Sequence, residues 1–137
     1  MTKFESDIKT IKAPQKKIFE VLSDLRNISN HLDKVPEEQL KVERIEEDAV
    51  FFKVEMAGEI GIKIIDKEPS KTIKFESVKS PIQFNLWIQL KDVAENETKL
   101  KLTLKADLNV MIKAMVSKPI KGFLDKLTDA ITSYDYS

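Results

Sequence analysis

The chain has 137 residues, 42% hydrophobic and 34% charged, with 23 Lys and Arg balanced by 23 Asp and Glu and no cysteine. That length suits a single domain, residues 1–137, with a sizeable core. Zero formal charge provides no global field toward nucleic acid or an anionic bilayer, and the missing thiols exclude disulfide frameworks, thiolate zinc sites and cysteine nucleophiles.

The N-terminal run Met1 to Asp7 lacks an apolar signal-like core, and no window approaches the roughly 18 uninterrupted apolar residues of a spanning helix. The expectation is a cytoplasmic protein with no membrane insertion. Phe4, Ser6, Ile8 and Thr10 alternate with Glu5, Asp7, Lys9 and Ile11, which predicts a first strand that Ala13-Pro14 ends. Pro14 suits the first position of a helix, where its missing N–H costs nothing, and Ile18, Val21, Leu22 and Leu25 fall on one side of it. Ser23 and Asp24 can cap a second short helix carrying Leu25, Ile28 and Leu32.

From Leu40 the period changes from helical to two. Leu40 and Val42 lead to a turn at Glu47-Asp48. Val50, Phe52, Val54 and Met56 then alternate with Phe51, Lys53 and Glu55, and Ala57-Gly58 reverses the chain. Ile60, Ile62 and Ile64 form the next apolar face, Ile73, Phe75 and Ser77 the one after Pro69-Ser70, and Ile82, Phe84, Leu86, Ile88 and Leu90 the one after Ser80-Pro81. Leu100, Leu102, Leu104 and Ala106 complete the last strand. One apolar and one polar face per strand, joined by hairpin-length turns, describe an antiparallel sheet wetted outside.

The stretch from Asp107 to Tyr134 reads as a helix whose stripe holds Leu108, Met111, Ile112, Met115, Ile120, Phe123, Leu124, Leu127, Ile131 and Tyr134. Pro119 predicts a kink or a fresh start capped by Ser117. The expected architecture is α+β: a seven-stranded curved antiparallel sheet around a long C-terminal helix, with two short helices between strands 1 and 2.

The run Phe4-Glu5-Ser6-Asp7-Ile8-Lys9-Thr10-Ile11-Lys12-Ala13-Pro14-Gln15-Lys16-Lys17-Ile18-Phe19-Glu20-Val21-Leu22-Ser23-Asp24 resembles the start of the START-related (SRPBCC) superfamily, which includes polyketide cyclases and the birch-pollen allergen. The resemblance implies a helix-grip fold. It also implies one of several roles: binding of lipids, sterols, polyketides or ubiquinone-like compounds, cyclisation, or docking on chaperones or ribosomes. Residues 27–36 lack the tryptophan that many relatives carry there.

Residues suited to chemistry are few. His31 is the one histidine and has no cysteine partner, so it reads as a polar helix-end or lid residue. Glu37-Glu38 and Glu46-Glu47-Asp48 fall in predicted turns, where solvated charge is expected, and Gly58, Gly61 and Gly122 make no phosphate loop. No metal, cofactor or catalytic residue is assigned.

The inward set is the candidate ligand site: Phe52, Val54, Met56, Ile64, Phe75, Ser77, Phe84, Leu86, Ile88, Leu102, Met111, Met115 and Phe123, with Ser6 and Thr10 as further polar points. The methionines would supply adaptable walls. The expected partner is a small hydrophobic or amphipathic ligand between sheet and C-terminal helix. A cyclase- or hydratase-type enzyme and an interaction module are the alternatives, the last through an outward patch of Phe51, Trp87 and Ile65 that could also support a weak homodimer.

Overall fold

Period-two alternation builds strands β1 (Thr2–Glu5), β2 (Lys9–Ile11), β3 (Leu40–Ile45), β4 (Ala49–Val54), β5 (Gly58–Glu68), β6 (Thr72–Val78), β7 (Phe84–Ala94) and β8 (Glu97–Ala106). This computed structural model describes residues 1–24, 26–27, 40–46, 48–54, 58–80, 82–134 and 136. The strands share one antiparallel sheet in the order β1-β8-β7-β6-β5-β4-β3, with β2 also paired to β8. Helix α1 (Gln15–Leu22) follows β2, and α2 (Val110–Ser133) closes the chain. The arrangement is the α+β helix grip. Most of the second short helix expected after Ser23 lies outside the described residues.

The first strand departs from simple alternation. β1 pairs Glu5 with Thr103, whereas β2 pairs Lys9 with Leu100, a register offset by one residue. Such a slip exchanges the faces of everything beyond it. Phe4 stays on the core side, but Ile8 is exposed and Thr10 turns outward, where its hydroxyl accepts from Lys99 Nζ at 2.7 Å. Thr10 is therefore not an inward polar point. Ser6 fills the break: it is buried, and its Oγ accepts from Leu102 N at 2.9 Å and donates to Asp7 O.

Core side chains from the concave face and α2 meet directly. The rings of Phe52 and Phe123 stand edge to face with centroids 5.7 Å apart, and Leu124, Leu127 and Ile131 pack in the same cluster. Helix α1 buries Ile18 and Leu22 and is tied to the sheet by Thr98 Oγ1 donating to Ala13 O at 2.8 Å.

Helix α2 runs unbroken through Pro119. Asn109 caps it by accepting from Ile112 N, while Ser117 bonds back to Lys113 O and caps nothing. The stripe breaks earlier than the sequence predicts. Met111 and Met115 are 75% and 71% exposed, so neither lies beneath the sheet. The reason is helical drift: each step of four residues turns the side chain by about 40°, so the apparent series Met111, Met115, Pro119, Phe123 winds about 120° around the helix.

Candidate functional site

Described residues bound an open cleft of about 850 Å³ between the end of α1 and the β3–β5 region, lined by Ser23, Asp24, Arg26, Ile45, Glu46, Asp48, Ile64 and Lys67. Local hydrogen bonds shape its walls. At the end of α1, Ser23 N and Oγ both donate to Phe19 O, and Asn27 Nδ2 donates to Val21 O at 2.8 Å. In the β3–β4 turn, Glu46 N donates to Ala49 O, and Asp48 O accepts from Ile64 N at 3.1 Å. Ile45 and Ile64, both half-buried and packed on the core, make the apolar floor.

Charges ring the mouth. Arg26 grips Asp24 through Nε at 3.0 Å and Nη2 at 2.7 Å, and its backbone N–H adds a third bond. The Arg26 side chain chiefly, with that N–H behind it, holds the Asp24 carboxyl below the ordinary aspartate range, and the charge of Lys67 adds in the same direction. Glu46 pairs with Arg44 at 3.2 Å and Asp48 with Lys63 at 3.5 Å.

Lys67 reaches this cleft through a β-bulge. On strict alternation from Ile60, Ile62 and Ile64 it belongs on the outer face. The β5–β6 register, however, shifts between Ile64 and Asp66, so that Ile64 pairs with Phe75 and Lys67 with Ile73, both inward residues. Ile65 is the extra residue and is left 42% exposed. Bulges commonly re-aim a side chain in this way. Sequence alternation missed Lys67 because a bulge leaves no fixed residue signature in a run such as Ile64-Ile65-Asp66.

Of the expected lining residues, Ile64 reaches the cleft, while Ser77 and Phe84 border a separate polar depression with Met1, Glu76, Gln83, Asn85, Lys105 and Asp107. Ser77 Oγ is occupied, accepting from Phe84 N at 2.9 Å where the β6–β7 ladder ends. Phe52, Phe75, Leu86, Ile88 and Leu102 are at most 1% exposed and Phe123 is 4% exposed. A side chain facing a void large enough for water would keep accessible surface, so these six are packed core in this conformation. Met111 and Met115 face solvent, and Met56 and the side chain of Val54 lie outside the described residues. So do His31, Glu37 and Glu38. Among the described residues no three His, Asp or Glu side chains converge as a metal site.

The outward aromatics do not merge into an apolar patch. Phe51 is buried beneath the Arg44 guanidinium, 3.8 Å from its ring centroid, in the space Gly61 leaves open. Trp87, three strands away, is half-buried between Lys74 and Lys105 at 5.3 Å and 5.5 Å. No described helix is long and apolar enough to cross a membrane.

Solved structures share the fold at low sequence identity. Norcoclaurine synthase from Thalictrum flavum, solved with dopamine and hydroxybenzaldehyde, superposes with TM-score 0.75 at 17% identity over 96% of this chain and 84% of its own. The Zhui aromatase/cyclase from Streptomyces sp. R1128 gives 0.59 at 19% identity, covering 94% and 93%. Protein CV1439 from Chromobacterium violaceum gives 0.66 at 15% identity, covering 98% and 100%. No curated protein sequence matches the chain. A family model spans residues 9–133, and with the helix-grip fold in place around them the chain belongs to the CoxG family of carbon monoxide dehydrogenase subunits.

Proposed function

We propose that the protein binds or carries a small hydrophobic or amphipathic molecule, of lipid, isoprenoid or polyketide-like character, whose apolar part lies over Ile45 and Ile64. The observation that carries this reading is the cleft itself. Its volume of about 850 Å³ falls within the roughly 300–1,000 Å³ usual for small-ligand sites, with an apolar floor and a polar rim. Family membership, and a shared fold that in norcoclaurine synthase holds dopamine and hydroxybenzaldehyde, support it. Each methylene taken from water contributes about 0.8 kcal/mol, so an alkyl or prenyl tail binds without a dedicated hydrogen bond. A cyclase- or hydratase-type reaction would call for a proton donor or acceptor poised near neutrality. Asp24 is displaced downward, which favours binding over turnover. The cysteine-free composition accords with a cytoplasmic setting.

Native mass spectrometry of protein isolated from its own host, paired with thermal shifts across fatty acids, isoprenoids, sterols and aromatic polyketides, tests the reading. A retained small molecule, or one class that raises Tm in proportion to ligand concentration, is expected. No bound species together with no shift from any class refutes it.

A further inference from the structure

We infer that the ligand of the cleft carries an anionic head, and that Lys67 receives it. The inference rests on the reading of the cleft as the ligand site and goes beyond it by naming the head. Three observations support it.

First, the bulge between Ile64 and Asp66 sets Lys67 opposite Ile73 on the concave face, so a cation stands where the sheet otherwise presents apolar side chains. Its stem lies alongside the Ile64 floor and its ammonium reaches the rim, a placement suited to long amphipathic side chains. Second, the three lining carboxylates are engaged, Asp24 by Arg26, Glu46 by Arg44 and Asp48 by Lys63. None is left to attract a cationic head. Third, among the described residues Lys67 has no ion-pair partner within 4.0 Å, so its three N–H donors are open to a ligand oxygen. A tail over Ile45 and Ile64 with a carboxylate or phosphate at Lys67 satisfies both ends of the cleft.

Isothermal titration with submicellar dodecanoate, dodecyl phosphate, 1-dodecanol and dodecyltrimethylammonium tests the head. The two anions are expected to bind at least about tenfold more tightly than the alcohol, the margin of one charge-assisted hydrogen bond, and the ammonium weakest. Whichever anion binds more tightly separates a carboxylate source from a phosphate one. Lys67→Gln should erase the preference while leaving alcohol binding unchanged, Lys67→Arg should keep it, and Lys53→Gln, the same charge loss on β4, should leave it intact. Equal binding of anion and alcohol, stronger binding of the ammonium, or a preference that survives Lys67→Gln overturns the inference. Failure of all four amphiphiles to bind would instead refute the cleft as the ligand site.

Discussion

Replacing Phe123 by alanine, with Met115→Ala alongside, tests which face of α2 the sheet grips. Phe123 is 4% exposed and meets Phe52 edge to face at 5.7 Å. Removing the ring forfeits a transfer contribution of roughly 1.5–3 kcal/mol and an aromatic pair worth about 0.5–1.5 kcal/mol. The void adds about 24 cal/mol per Å³ of whatever volume the neighbours fail to refill. Partial collapse of Leu124 and Leu127 toward the gap limits that last contribution, and the expected loss is about 3–5 kcal/mol. Met115 sits two turns earlier with 71% of its surface in water, so its truncation should cost no more than about 0.5 kcal/mol. Urea denaturation reads both: at a slope of about 1–3 kcal/mol/M, Phe123→Ala lowers the midpoint by one molar or more while Met115→Ala hardly moves it. A loss below about 1 kcal/mol for Phe123→Ala, or similar losses for the two variants, would show that the gripped face is misassigned.

Three further outcomes follow from particular contacts. Gly61→Ala would place a Cβ 2.5 Å from the Phe51 ring and 2.6 Å from Val78 O, so a loss of about 1–3 kcal/mol is expected, whereas Gly122→Ala meets nothing within 4 Å in a helix interior and should stabilise by up to about 1 kcal/mol; chemical denaturation of the two separates them. Because Arg26 depresses the folded pKa of Asp24, that ion pair contributes above the usual aspartate value of about 3.9 and is lost as pH falls through the lower folded value; an NMR titration should find the midpoint below that of Arg26→Ala. Burial chiefly, with Tyr134 beside it, pushes the Tyr136 phenol up, so it stays protonated where the unfolded phenol ionises. Its contribution is present below pH about 10 and lost above, and Tyr136→Phe, which also removes the 2.8 Å bond to Ile131 O, should flatten the alkaline fall in stability.

The inner faces of β4, β6, β7 and β8 are legible in the sequence because strict alternation has a single solution once one face is buried. Phe52, Phe75, Leu86 and Leu102 accordingly lie where the pattern puts them. What that pattern does not distinguish is a residue that faces inward from one that borders open space, and these four are core. Thr10, Met111, Met115 and Lys67 depart from the pattern for a common reason: each lies across an interruption from the residues that set its period. The register slip after Ser6, the bulge at Ile65 and the winding of i+4 steps around α2 each alter the phase.

From the residues alone come the α+β class, the order of elements and the identity of the apolar faces, because these depend on short-range periodicity and on turn residues that act locally. Only the folded chain decides where the cleft opens and which side chains rim it. Ser23, Asp24, Ile45, Glu46, Ile64 and Lys67 are brought together by pairing across the sheet and by the packing of α1, and nothing in their spacing along the chain encodes that meeting.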